Sequence, residues 1–225
     1  DLNKITLKSK SNSEDDIKYW LHDFSGTYGE PSMFKLTFNE NSQSIINKLY
    51  GDYINFSLNN DFDLSFQPEH SSSRVDTNSD WDIDISLGFN NVINGRRFDP
   101  YPQTGSKKYH LKFKIRQELG ISYAVSGTTL YVEKYYRGIK IEDKEFKIKN
   151  YLNSNLSDRQ IKISRIADII YFSINQDLLY TTEIEDFENN KIFIYHDSQR
   201  YDELLTDKNR SIIRSVVFSN LIDKS

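Results

Sequence analysis

The chain has 225 residues, long for one domain but common for an all-β sandwich, so a single domain over residues 1–225 is expected. Its 37% hydrophobic and 14% aromatic content excludes general disorder, and a net charge of −4, with Lys and Arg scattered among carboxylates, excludes a nucleic-acid-binding face. Cysteine is absent, which rules out a disulfide framework, a thiol nucleophile or a Cys-based zinc site, and no apolar run reaches the length of a membrane span.

Ile5 to Leu7 reads as an edge strand. Ser13-Glu-Asp-Asp16 resembles a capping box ahead of Ile17, Tyr19, Trp20 and Leu21, which predicts a short helix. Beyond the Gly26–Pro31 loop, Phe34, Leu36 and Phe38 alternate with Lys35 and Thr37 as in a half-buried strand. Residues 39–48 are polar, with a brief helix over 44–49 as an option. Ile54 to Leu58 and Phe62 to Phe66 read as strands around an Asn59-Asn60-Asp61 turn, and Pro68 to Ser79 as a polar loop. Trp81, Ile83, Ile85 and Leu87 face one way on the next strand while Asp80, Asp82, Asp84 and Ser86 face the other.

Gly88 to Lys108, with Arg96 and Arg97, reads as an irregular segment long enough to be a functional loop. Tyr109, Leu111, Phe113 and Ile115 alternate with His110, Lys112, Lys114 and Arg116. Hairpins are expected at Ser126-Gly127 and at Glu142-Asp-Lys144. After the Asn-rich residues 150–158, the stretch Gln160 to Ile184 reads as two or three short strands with tight turns. Ile161, Ile163, Ile170, Phe172 and Ile174 are its core positions. Ile192 to Tyr195 is another strand, Tyr201 to Leu205 a helical turn, and Ser211 to Leu221 a closing strand that pairs with an early one. Many short strands with turn signals, almost no helix and no βα alternation predict an all-β, two-sheet antiparallel β-sandwich or jelly roll with one or two short helices.

The run Ile161-Lys-Ile-Ser-Arg165, then Ile170-Tyr-Phe-Ser-Ile-Asn175, Leu178-Leu-Tyr180, Lys191-Ile-Phe-Ile-Tyr195 and Ser215 to Leu221 resembles the C-terminal half of a concanavalin A-like, laminin-G-type jelly roll of the lectin and glucanase superfamily. The resemblance covers the last quarter to third of the chain. It departs at Asn175-Gln176-Asp177, where the superfamily has Asn-Gly. It implies two stacked antiparallel sheets, one concave on its outer side, where members bind carbohydrate, some bind calcium and some hydrolyse glycosides. It also favours an extracellular or cell-surface setting.

Asp80, Asp82 and Asp84 are the most distinctive polar group. Alternate residues on one strand face lie about 6–7 Å apart, in the range glycosidase carboxylates use. The superfamily's hydrolases carry Glu-x-Asp-x-Glu or a near variant there. Three aspartates, each a methylene shorter, sit further from a sugar. The commoner reading of such alternation is a solvated strand face whose carboxylates pair with Lys112, Lys114 and Arg116. Asp76-x-Asn78-x-Asp80 opens like a calcium loop, but Trp81 and Leu87 stand where an EF-hand needs Gly and Glu. A looser Ca²⁺ site from Asp76, Asn78 and Asp80 is weighed against a plain polar turn, and no other cofactor is expected. Tyr131 and Tyr135 project outward if Leu130 and Val132 point inward, offering rings to a sugar face or a protein, although Tyr also favours strands as such. The four histidines have no metal-ligand spacing.

These readings converge on a non-catalytic recognition module that binds carbohydrate through the concave sheet and its rim loops, with Tyr131, Tyr135, Asp82, Asp84 and Arg97 as ligand-binding residues. The alternatives are a glycoside hydrolase using Asp80, Asp82 and Asp84, or a protein-interaction domain of a larger protein. The implied partner is a glycan or a protein ligand.

Overall fold

A computed structural model describes residues 2–8, 20–24, 32–37, 57–71, 80–94, 97–119, 125–148, 160–199 and 210–223. Among them the strands are β1 (Leu2–Lys8), β2 (Trp20–Phe24), β3 (Ser32–Thr37), β4 (Phe62–Ser71), β5 (Asp80–Leu87), β6 (Asn91–Asn94), β7 (Arg97–Tyr101), β8 (Tyr109–Leu119), β9 (Val125–Tyr136), β10 (Ile139–Ile148), β11 (Ile161–Ile166), β12 (Ile169–Ile174), β13 (Asp177–Glu183), β14 (Lys191–Gln199) and β15 (Arg210–Asp223). Six strands form one sheet in the order β1-β15-β4-β11-β12-β13, seven form the other in the order β10-β9-β8-β5-β14-β3-β2, and β6 and β7 make a separate hairpin. Neighbouring strands pair antiparallel, as the period-2 alternation requires of a sandwich.

The core is the set of inward positions of both sheets. Leu64, Phe66, Ile161, Ile163, Phe172 and Phe218 from the six-stranded sheet meet Ile83, Ile85, Phe113, Ile115, Val132 and Ile194 from the seven-stranded one, all at 1% exposure or less. Phe113 on β8 and Phe172 on β12 stack across the interface with centroids 4.5 Å apart. At the open side, where β10 and β13 end their sheets, polar groups bridge the layers. The Tyr180 hydroxyl donates to Glu142 Oε1, and Lys134 Nζ donates to Thr182 Oγ1 at 3.1 Å and to the Glu183 carbonyl at 2.5 Å.

Several local expectations are revised. Trp20 and Leu21, placed in a helix by the capping-box pattern, belong to β2 and pair with β3, so tertiary pairing overrides the local signal. No helix occurs among the described residues, and the options over residues 13–19, 44–49 and 201–205 lie outside them. Pro68 is in β4, not in a loop. It sits beyond the last β4–β11 pair at Phe66 and pairs with Ile213 of β15 alone, so its missing N–H leaves no break in a two-sided ladder. The segment after Gly88 contains the β6–β7 hairpin. Ser126-Gly127 is no turn: β9 runs through it, with Gly127 paired to Glu118. Nor does β10 fold back at residues 142–144. It is one strand with a bulge at Lys140/Glu142, and the turn falls at Arg137-Gly138, where φ values of 51° and 79° give the twist a two-residue hairpin needs. Asn175 and Gln176 turn the β12–β13 hairpin with φ of 49° and 71°, so the turn survives without the usual glycine.

Candidate functional site

The outer face of the seven-stranded sheet is built from the residues that alternate with the core. β5 is its central strand, and register sets side chains in rows across the strands. One row runs Glu145, Tyr131, Lys114, Asp84, Tyr195 from β10 to β14; a second runs Lys147, Thr129, Arg116, Asp82; a third runs Asp143, Glu133, Lys112, Ser86, Phe193. Each cation of β8 therefore has one carboxylate beside it in register, Asp82 for Arg116 and Asp84 for Lys114 on β5, and Glu133 for Lys112 on β9.

The pairs close tightly. Arg116 donates to both Asp82 oxygens, Nε at 2.8 Å and Nη2 at 3.0 Å. Lys114 Nζ lies 3.2 Å from Asp82 and 3.8 Å from Asp84, so one ammonium serves both carboxylates. Glu133 takes Lys140 at 2.7 Å, Lys112 at 3.6 Å and the Tyr135 hydroxyl at 2.8 Å. The expected cross-strand pairing is present, but the face is not simply solvated, because Asp84 is 3% exposed.

Burial acts on both aspartates and the outcomes differ. It drives Asp84 up to about 6, against the charges of Lys114 and Lys112. At Asp82 burial also pushes upward, but the Arg116 hydrogen bond and the Lys114 and Arg116 charges outweigh it and hold the carboxyl below the ordinary aspartate value. The same balance keeps Glu133 low: burial raises it, while Lys140 and the Tyr135 hydroxyl lower it further. Tyr135 is raised by burial and by its bond to Glu133, so it stays a neutral donor.

One end of the face is covered. Gly88, in the left-handed region at φ +82°, turns the chain after β5 and lays Phe89 on the outer side. There its ring is 4.9 Å from His110 and meets Tyr135 edge-on at 5.9 Å. Phe89, Phe193 and Tyr135 make a small apolar cluster separate from the main core. A Cβ on Gly88 would come within 3.1 Å of Phe187 and 3.2 Å of the Tyr109 carbonyl, so glycine is required by space as well as by conformation.

Of the candidate residues read from sequence, Asp82, Asp84, Tyr131 and Tyr135 share this outer face. Asp80 continues the same alternation on β5 and Arg97 begins β7, but the side chains of both lie outside the described part, and Asp76 and Asn78 lie wholly outside it. Among the described residues no group of three His, Asp or Glu side chains is placed to hold a metal ion. Tyr135 is engaged by Phe89 and Glu133, and the Lys140 ammonium lies 5.8 Å from its ring centre. Ser86 and His110 alternate outward in the sequence without a binding role, and Glu133 and Tyr195 are given none there. Alternation would have found Glu133 between Tyr131 and Tyr135, and Tyr195 opposite the core residues Ile192 and Ile194. Phe89 had no local signal, since its placement depends on the Gly88 turn.

No protein-family model matches the sequence, and a search of curated proteins finds no match. Solved structures do. The Emp47p carbohydrate recognition domain aligns over 96% of this chain and 89% of its own length at 9% identity, with a TM-score of 0.51. A 1,3-α-1,4-β-D-galactose-4-sulfate-3,6-anhydro-D-galactose 4 galactohydrolase covers 98% and 96% at 6% identity and 0.49. The kappa-carrageenase from Pseudoalteromonas carrageenovora, in complex with an oligotetrasaccharide, covers 98% and 96% at 5% identity and 0.48. At such identities the likeness is one of fold.

Proposed function

We propose that this chain, whose fold is the concanavalin A-like jelly roll, is a non-catalytic module that binds carbohydrate on the outer face of its seven-stranded sheet. The observation that carries the reading is the state of the carboxylates on the central strand. Asp82 has both oxygens engaged by Arg116 and one of them near Lys114, so it is fixed as a charge-compensated acceptor. A general base must hold the proton it takes, and a carboxylate that Arg116 and Lys114 keep ionised below the ordinary aspartate range holds one poorly. Fixed donors and acceptors beside half-buried tyrosines suit sugar hydroxyls and the apolar face of a sugar ring. The fold likeness to a carbohydrate recognition domain agrees with this class of ligand.

A hydrolase is the second reading, favoured by one fact: Asp84 is raised to about 6, where a carboxylic acid can donate a proton near neutral pH. A glycan array followed by isothermal titration calorimetry separates the two. Binding without release of new reducing ends is expected. Arg116→Ala and Tyr131→Ala should each weaken binding about tenfold, the loss of one charge-assisted hydrogen bond or one aromatic contact. Cleavage that Asp84→Asn abolishes would favour the hydrolase, and no binding to any glycan would overturn the carbohydrate reading.

A further inference from the structure

The covered end of the outer face contains polar groups that its cap does not satisfy. Ser86 Oγ, His110 Nδ1 and Asn189 Oδ1 are buried and meet no hydrogen-bond partner. Ser86 stands two residues before Gly88 on β5, the His110 ring meets Phe89, and the Asn189 amide is bonded to the Gly88 carbonyl. Ser86 lies one step beyond Asp84 on β5, opposite Lys112 and Phe193. His110 lies next along β8, under the Phe89 ring. Asn189 spends its amide nitrogen on the Gly88 carbonyl at 2.7 Å and on Asn90 Oδ1 at 2.9 Å, leaving its oxygen unmatched. Ser86 and His110 are 0% and 1% exposed. Buried polar atoms are as a rule paired, and a phenyl ring offers them neither a donor nor a strong acceptor.

We propose that this end is a capped sugar subsite, which one hydroxyl-bearing sugar unit enters as the Phe89 ring moves aside. The chemistry of the three atoms favours a hydroxyl over an anion. The Asn189 oxygen can only accept, so it needs a donor; the Ser86 hydroxyl can do either; and the imidazole, kept neutral by burial, has one nitrogen of each kind. The Phe89 side chain is held by ring contacts with His110 and Tyr135 and has no hydrogen bond to lose on moving. Ser86 belongs to the Glu133–Lys112 row, which lies beside the Asp84–Lys114 row, so the subsite is continuous with it. The inference rests on the carbohydrate reading and adds a direction: the ligand extends toward Phe89.

The test compares the parent and Phe89→Ala by calorimetry with gluco- and manno-oligosaccharides from mono- to hexasaccharide. Removing the ring should raise affinity for the longer members by about fivefold to tenfold and leave the shortest unchanged, and adding Ser86→Ala should cancel the gain. The same length dependence in both proteins would overturn the subsite and leave the carbohydrate reading standing. If no member of these series binds either protein, the subsite falls, and the glycan array alone decides the carbohydrate reading. Should Phe89→Ala fail to fold, the parent still decides: the His110 imidazole resonances must shift when the hexasaccharide that binds best is added, and unshifted resonances with binding intact would overturn the proposal.

Discussion

Asp82 and Asp84 stand two residues apart on one strand face, yet their surroundings push them in opposite directions. Asp84 is raised to about 6, so the folded protein holds that proton more firmly than the unfolded chain, whose carboxyl titrates near 3.8. A shift of about two units corresponds to about 3 kcal/mol against folding at neutral pH, relieved as pH falls from about 6 toward about 4. The groups facing it are Lys114, Lys112, Arg116 and Asp82, with Tyr195 opposite in register. Asp84→Asn should therefore raise the melting temperature at pH 7.5, with the gain vanishing near pH 4. Asp82 is lowered, so its stabilisation holds above the ordinary aspartate range and is lost only as pH falls through and below it. Asp82→Asn should lower the melting temperature at pH 7.5 by removing the negative charge that Arg116 and Lys114 both pair with. Melting curves of the two variants across pH would contradict this account if both moved the same way.

At the scale of the element, β15 shows how one polar residue fixes a strand. Asn220 is 1% exposed. Its amide nitrogen donates to the carbonyls of Ser57 and Asp61 at 3.1 and 3.0 Å, and its oxygen accepts the Ser57 N–H at 3.0 Å. That one side chain ties residues 57–61, which lead into β4, to the strand that β4 pairs with. Asn220→Ala should cost about 2–4 kcal/mol, because three backbone groups lose their partner together, and the urea midpoint would report it. The Asn-Leu at the end of the closing strand was legible as part of a superfamily pattern, but its purpose was not, since its partners lie more than 150 residues away. Hairpin positions were similarly open. Glu142-Asp-Lys144 has turn composition, yet β9 supplies a partner for residues on both sides of it, and the ladder extends through. Arg137-Gly138 takes the turn instead.

For the molecule as a whole, stability depends on two sheets closing on one core. The Phe113–Phe172 stack joins the two layers, with both rings fully buried. Phe113→Ala and Phe172→Ala should each cost about 3–5 kcal/mol. The double variant should cost less than their sum by about 0.5–1.5 kcal/mol, the part that belongs to the ring pair. Denaturant unfolding of all four proteins measures that difference, and full additivity would mean the stack contributes only as buried area.

The sequence by itself determined the all-β character, most strand positions and which side of each strand faces inward. Period-2 alternation is a local property, and burial of one face leaves a strand few other arrangements. It also determined that Asp82, Asp84, Lys112, Lys114 and Arg116 are outward residues. Only the tertiary structure decided the register of β5 on β8 that gives Asp82 to Arg116, that Asp84 is nearly closed from water, and that the Phe89 ring lies on His110. Each of these depends on which strands meet and where a glycine turn sends the chain, and a single sequence carries no term for contacts between residues far apart along it.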